Sequence, residues 1–396
     1  MRRLKMVTIA MALVLMLLTV SVHGRGDTGG LTLQEAIARA RTHSPILELA
    51  RVQQDKAALE AEQAAEVADT IPEDDVDNYT MAMLKYLYPY QAEVASQLAR
   101  KKTTATREDL ELQVEVVYRS LQMARRMARV AEAGLRVARE GLQVARDMHE
   151  AGMITWAEVL AAERDVEQIR SMWVSSGVGA ERAALTLSML LVLDADDELE
   201  LSAAEPRFSP PGDIDLDRQV RRALRNRYEI AEVNAMVDIT RYRLDLVREY
   251  PSGLSFSWPD LPFDLPFDPP DDDAEVEDEY ALPIAELEYR EAILMRRLRR
   301  SEIEQQVRSL YLGIREAEQG VREAEAGLRA AQEAWRVAVL KFNAEKISRL
   351  DLLRVNLEKI QSEASHVNAL YQYELALARF NHAGGKGSSA GLEGGT

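Results

Sequence analysis

The sequence predicts a mainly α-helical protein in which a long antiparallel helical hairpin occurs twice. The first observation is an internal repeat. A shift of 193 residues places residues 131–136 on residues 324–329, and both read Ala-Glu-Ala-Gly-Leu-Arg. A shift of 183 residues aligns an upstream pair, Leu33 with Leu216. Two large copies, rather than many short ones, predict a protomer with two-fold pseudo-symmetry.

Residues 1–24 have the features of a secretory signal peptide. Three basic residues precede the apolar run 7–22, which ends in a small-residue cleavage site at Gly24. An uncleaved membrane anchor is the alternative, and it is less favoured because the run is short for a membrane span. The segment carries three cationic and no acidic residues, so its removal takes the net charge from −17 to −20.

The acidic balance and the cysteine count exclude several classes. A strongly negative chain is a poor ligand for nucleic acid, whose phosphates require Lys and Arg. It suits a cation-friendly lumen, although an acidic surface is more often simply a soluble one. The chain has no cysteine. An exported protein without disulfides depends on apolar burial or on oligomerisation for its stability. We also expect no lipid anchor at the mature N-terminus, because such an anchor requires a cysteine.

Proline spacing predicts very long helices. No proline lies between Pro89 and Pro206, and none follows Pro283. Because proline breaks helix interiors, these gaps permit helices over 105–150 and 284–342, about 69 Å and nearly 90 Å long at 1.5 Å per residue.

Heptad spacing predicts helices with neighbours on two sides. One seam has alanine at every seventh position in both copies: Ala124, Ala131, Ala138, Ala145 and Ala317, Ala324, Ala331, Ala338. A second apolar column lies on another face: Met123, Val130, Val137, Val144. Spacing of 3.5 residues is typical of coiled coils, and two seams suit the wall of a tube. A plain antiparallel bundle remains the alternative.

Each long helix ends at a sharp turn, over 150–155 in the first copy and 343–348 in the second. Thr155 with Glu158, and Ser348 with Asp351, have the spacing of capping boxes that start the returning helices. At the opposite ends, residues 67–104 hold an aromatic cluster. Residues 250–283 are rich in proline and aspartate.

The predicted domains follow from this layout. The signal peptide 1–24 is followed by a first repeat over 25–205 and a second over 206–383, which contains the insert 250–283. Alternation over 254–258 predicts one short strand in that insert. The Gly/Ser-rich tail 384–396 is predicted to be disordered.

Catalytic and metal-binding patterns are missing from the sequence. The five histidines are scattered without metal-ligand spacing, and no phosphate-binding glycine loop occurs. We therefore expect no enzyme activity, no cofactor and no metal.

Several short sequence motifs resemble those of the TolC-like outer membrane efflux proteins. They are Leu31–Ala36, Ser44-Pro45 after the first helical stretch, the two hairpin turns and residues 347–353. The resemblance covers roughly residues 31–66, 105–200 and 213–383. It implies a homotrimer whose helices form an α-barrel through the periplasm, with a β-barrel of four strands per protomer above it.

The resemblance also implies partners and a site. A periplasmic adaptor protein, coupled to an inner-membrane transporter, would dock on the hairpin turns: Gly152, Met153, Ile154, Thr155, Glu345, Lys346, Ile347, Ser348. Asp351 takes the place of an acidic residue that constricts the entrance and favours cations. The second acidic position of the family is Arg354 here, and the second turn has Glu345 where the first has Gly152.

The expected function is therefore a passive export conduit in the outer membrane and periplasm. The sequence departs from the family in the membrane part, because residues 67–104 hold no convincing strand and 250–283 hold one at best. We expect the β-barrel part to be reduced or absent, which leaves membrane contact open. The alternative is a non-transporting coiled-coil spacer or partner-binding protein that has lost the pore.

Overall fold

The computed structural model describes residues 30–194, 199–202, 206–210, 212, 214–251 and 280–384. The predicted signal peptide, the predicted strand over 254–258 and residues 385–396 of the predicted tail lie outside this range. The predicted domain boundary at 205/206 falls in a link that is only partly described, so it stays a prediction.

The described residues form two matching sets of four main helices. The first set is α1 Leu33–His43, α2 Pro45–Asp69, α4 Tyr88–Glu150 and α5 Trp156–Leu191, with a short α3 Tyr79–Ala82 before α4. The second set is α6 Leu216–Asn226, α7 Tyr228–Glu249, α8 Ala281–Asn343 and α9 Arg349–Ala383. Both α4 and α8 have 63 residues, which corresponds to about 95 Å. The predicted two-copy helical architecture is confirmed.

The first long helix starts earlier than predicted. It begins at Tyr88 rather than near residue 105, so residues 88–104 belong to α4 and not to a separate end segment. Pro89 is the second residue of α4. The helical backbone extends upstream of it through α3 and a π-helix over Met83–Leu87, in which the Tyr88 N–H donates to the Met83 carbonyl. Because proline has no N–H to donate, Pro89 marks the change from π-helical to α-helical hydrogen bonding.

The four longest helices form an open layer in the order α5, α4, α9, α8. Each helix packs against the next in this order, whereas α5 and α8, over their described lengths, do not pack against each other. At the other end of the layer, α2 packs on α4, and α7 packs on α8 and also reaches α4. A plain four-helix bundle would bring the outer two helices together. That alternative is therefore wrong for the single chain.

The alanine seam is buried at three of its four positions in the first copy, and Ala124 is half-buried. Ala131 and Ala145 are fully buried, and Ala138 lies in a cluster with Ile169 of α5 and Leu357 of α9. In the second copy only Ala338 of this seam is buried, and its other three members are half-buried. The difference arises because α4 has long helices on both sides, while α8 lies at an edge of the layer.

A buried ion triad joins the two copies. The Arg119 guanidinium of α4 lies 3.1 Å from Glu115 of the same helix and 2.8 Å from Glu374 of α9. Glu115 and Arg119 are both buried. A buried charge is tolerated only when it is paired, so this triad fixes how α9 lies on α4.

None of the helices in the described ranges is both long enough and apolar enough to cross a membrane.

Candidate functional site at the hairpin tips

The two hairpin turns lie together at one end of the layer. Leu350, in the first turn of α9, packs with Ala145 of α4 and Val159 of α5. Arg349 forms an ion pair with Glu140 of α4. The structure therefore brings together all eight residues predicted to dock an adaptor: Gly152, Met153, Ile154, Thr155, Glu345, Lys346, Ile347, Ser348.

Both turns have the same backbone geometry despite different sequences. Gly152 has a φ of 70° and Glu345 a φ of 56°, so each long helix ends in a left-handed residue. In the first turn the Met153 N–H donates to the Met148 carbonyl at 2.8 Å, and the second turn has the matching bond at 2.9 Å. This is the Schellman arrangement, which normally places glycine at the left-handed position. Glu345 adopts the left-handed conformation without the conformational freedom of glycine.

Both predicted capping boxes are present. Glu158 accepts from the Thr155 N–H at 2.9 Å and from its hydroxyl at 3.1 Å. Asp351 accepts from the Ser348 hydroxyl at 2.7 Å and from its N–H at 3.2 Å. The hydrogen bond from the Thr155 backbone, followed by that from its side chain, lowers the pKa of Glu158. Both carboxylates are thereby fixed at the start of a returning helix.

The predicted constriction residues are close to each other and to a third charge. Arg354 lies 4.0 Å from Asp351, and both side chains are about half exposed. Glu158 feels both charges, because Arg354 lowers its pKa and Asp351 raises it. Glu158 is also the counterpart of Asp351 under the 193-residue shift. Motif spacing predicts only a capping role for Glu158, although the internal repeat also indicates a second acidic group at the tips.

The tips expose apolar side chains next to these charges. Met153, Trp156 and Leu340 are each more than half exposed. The Trp156 ring lies 5.4 Å from the ring of His149, and His149 Nδ1 is 3.0 Å from the Ile154 carbonyl oxygen. These contacts hold the first tip in one shape. An exposed apolar patch with charged neighbours is typical of a protein-docking surface.

Within the part of the chain that the structure describes, no three His, Asp or Glu side chains are grouped so that they could hold a metal ion.

The fold recurs in bacterial outer membrane channels. The Campylobacter jejuni CmeC outer membrane channel superposes with a TM-score of 0.68 at 13% identity, over 95% of this chain and 93% of that chain. The chain has the TolC-like channel fold. The Vibrio cholerae outer membrane protein VceC gives a TM-score of 0.67 at 14% identity, over 90% of this chain and 96% of that one. The open-state MtrE outer membrane channel of Neisseria gonorrhoeae gives 0.64 at 15% identity, over 90% and 89%.

In sequence, no protein-family model and no curated protein matches the chain. At these identities the structural likeness confirms the fold predicted from the resemblance, and it shows the fold alone.

Proposed function

We propose that this TolC-like chain is one of three protomers of a passive, non-enzymatic export conduit in the outer membrane and periplasm. The observation that carries the proposal is the open layer of helices. Within the described residues, each of its two edge helices, α5 and α8, lacks a neighbour that its counterpart in the other repeat has.

The edge helix α5 exposes the apolar stripe that its counterpart α9 buries. Leu160 is 48% exposed, whereas its counterpart Leu353 is 8% exposed. The same holds along the rest of the stripe. The exposed members in α5 are Val174, Val178 and Leu185, and their buried counterparts in α9 are Val367, Tyr371 and Ala378.

The other edge helix, α8, has a matching open face. Gly134 of α4 is so close to its neighbours that an added Cβ would lie 3.2 Å from Ile360 of α9. Its counterpart Gly327 of α8 has open space at the same position. Leu312, the counterpart of buried Arg119, is 65% exposed. These open positions support the packing of α8 on α5 of the next protomer, in the way that α4 packs on α9 within one chain.

Repeated contacts of this kind close a ring of helices around a central passage. The resemblance sets the number of copies at three, and the two tips of each protomer would then surround one opening. Each protomer would contribute Asp351, Glu158 and Arg354 to its rim. An excess of carboxylates at a narrow opening attracts cations and resists anions. The exposed tip residues would meet the adaptor protein of an inner-membrane pump.

Conductance across a planar lipid bilayer tests the proposal. We expect the purified protein to conduct with a preference for cations. Asp351→Asn should reduce that preference and Arg354→Asp should increase it, because the first substitution removes a rim carboxylate and the second replaces a cation. Arg322→Gln on the long shaft of α8 is a matched control and should leave selectivity unchanged. Conduction without any change of selectivity in either rim variant would leave Asp351 with its capping role alone.

A second candidate function is a non-transporting spacer that keeps the helical assembly. The helical conformation of the connection between α2 and α4 favours it, because a 3-10 helix over Glu73–Asp75, α3 Tyr79–Ala82 and a π-helix over Met83–Leu87 occupy a region where the resemblance implies membrane strands. A trimer that assembles in solution but never conducts would support this candidate over the conduit.

A further inference from the structure

The connection between α2 and α4 packs across onto the second copy. Tyr79 and Leu87 of this connection join Val247 of α7 and Ala281 and Ala285 of α8 in one apolar cluster. All five side chains are buried. The first copy therefore fills a groove between α7 and α8 with its own connecting segment.

Polar contacts fix the connection in that position. The Lys85 ammonium donates to the carbonyls of Ala68 at 3.0 Å and Ile71 at 2.7 Å, which caps the end of α2. The Arg243 guanidinium of α7 donates to the Tyr79 hydroxyl at 3.2 Å. The connection is thus attached to the first copy at one side and to the second copy at the other.

The matching groove in the first copy is open. It lies between α2 and α4, has a volume of about 660 Å³ and is lined chiefly by small and apolar residues: Ala57, Ala64, Val67, Tyr88, Ala92, Ala95. Under the 183- and 193-residue shifts, Ala64 corresponds to Val247, Tyr88 to Ala281 and Ala92 to Ala285. The walls of the open groove are therefore the counterparts of the walls of the filled one.

The exposed fractions differ at Tyr88 and Val67, whereas Ala64 is as buried as its counterpart Val247. Tyr88 is 58% exposed and its counterpart Ala281 is 7% exposed. Val67 is 45% exposed. Its counterpart Tyr250 is less exposed, because it is half-buried against the apolar cluster of the filled groove. Among the described residues, no apolar segment covers the open groove in the way that Tyr79 and Leu87 cover its counterpart.

We propose that residues 252–279 of a neighbouring protomer occupy this groove. This inference rests on the ring assembly proposed above. The segment links α7 to α8, as residues 70–87 link α2 to α4, and it lies outside the described residues. The connection in the first repeat packs on the second repeat of the same chain. In a ring, the second repeat is followed by the first repeat of the next protomer, so the connection 252–279 would pack there.

The composition of the segment suits the groove. It contains the apolar and aromatic residues needed to cover alanine and valine walls: Leu254, Phe256, Trp258, Leu261, Phe263, Leu265, Phe267. Burying such side chains against an apolar surface provides most of the stability of a protein interface. Each protomer would thus donate one segment and receive one, which locks the ring at the end opposite the hairpin tips.

Cross-linking tests this exchange, because the chain has no native cysteine. Ala92→Cys in the groove is combined with Trp258→Cys in the segment, and the pair is joined by a short bis-maleimide. We expect covalent dimers and trimers on a denaturing gel. The matched control replaces Ala92→Cys by Glu62→Cys, on an exposed position of α2 outside the groove, and should give at least several-fold less product.

Light scattering on the same samples separates this inference from the assembly on which it rests. Links confined to single chains, or no links in a protein that is trimeric in solution, would overturn the exchange and leave the ring assembly intact. A monomer in solution would overturn both. As a second measurement, Ala92→Arg should block the groove and make residues 252–279 several-fold more sensitive to protease in the trimer. Unchanged sensitivity would contradict occupancy of the groove.

Discussion

At the scale of single residues, Glu345 has a backbone conformation that its side chain does not favour. Its φ of 56° places it in the left-handed region, where a Cβ is crowded by the neighbouring carbonyl oxygen. The matching position in the first turn is Gly152, which has no such cost. One tip is therefore relaxed and the other is strained.

Replacing Glu345 by glycine should stabilise the protein. We expect Glu345→Gly to raise the free energy of unfolding by about 0.5–1 kcal/mol, since the relieved strain exceeds the added flexibility of the unfolded chain. The reverse change, Gly152→Glu, should lower it by about 1 kcal/mol. Urea unfolding at one fixed protein concentration measures both. A destabilised Glu345→Gly variant would mean that the Glu345 side chain makes a contact that offsets the strain.

The capping box at Glu158 predicts a pH dependence. The hydrogen bonds from Thr155 lower the folded-state pKa of Glu158 below its ordinary value of 4.5. A depressed pKa gives stability that is present above the unfolded pKa and is lost as the pH falls through the folded pKa. We therefore expect Glu158→Gln to be less stable than the parent near pH 7, and the difference to shrink below pH 4.5. A difference that stays constant from pH 7 to pH 3 would show that charge at Glu158 plays no part.

At the scale of helices, the alanine seam distinguishes a central helix from an edge helix. Ala131 of α4 is fully buried between neighbours, whereas its counterpart Ala324 of α8 is half-buried in the single chain. The same residue type at the same heptad position therefore meets different surroundings.

Substitution by leucine should reveal that difference. We expect Ala131→Leu to reduce the free energy of unfolding by about 1–3 kcal/mol, because the added atoms overfill a closed contact. Ala324→Leu should cost less in folding, and should instead shift the protein towards smaller assemblies if α8 meets another copy. Thermal unfolding and light scattering measure the two effects. If both variants melt like the parent, neither seam faces a close neighbour.

The sequence predicts the helices better than it predicts their partners. Proline gaps and heptads are local, and they correctly indicate α4, α8 and the two capping boxes. The start of α4 was misplaced because residues 88–104 carry no strong heptad, although Pro89 is compatible with a first turn. The ion triad around Arg119 was missed because Glu374 is distant in sequence and comes close only through the packing of α9 on α4.

The candidate site could be predicted only in part, for a similar reason. The turns and Asp351 follow from motif spacing, and the structure brings them to one end. Glu158 gains its meaning from the repeat, and the exposure of Trp156 depends on how the first tip folds back on His149. An apolar position in a heptad indicates burial, but it does not say whether the neighbour is in the same chain or in another copy.

At the scale of the whole molecule, the two-copy architecture indicates how further copies are placed. We propose that the contacts within the chain between α4 and α9 are repeated between α8 of one protomer and α5 of the next. The same reasoning applies at the other end, where the filled groove is a template for the open one. The central claim is that this chain closes into a ring by repeating its internal contact.

An engineered disulfide at the predicted junction tests that claim most directly. A Cβ at Gly141 would lie 4.0 Å from the Leu353 Cβ, within the range that disulfides require. In the internal repeat, the counterpart of Gly141 is Ala334 and the counterpart of Leu353 is Leu160. Both counterparts are exposed in the single chain. We expect Ala334→Cys with Leu160→Cys to form disulfides between chains under mild oxidation, in a ladder that ends at the trimer, while the control pair Gly141→Cys with Leu353→Cys forms a link within one chain. Monomers alone in the presence of a working control, or a ladder that continues beyond three, would contradict a closed ring of three protomers.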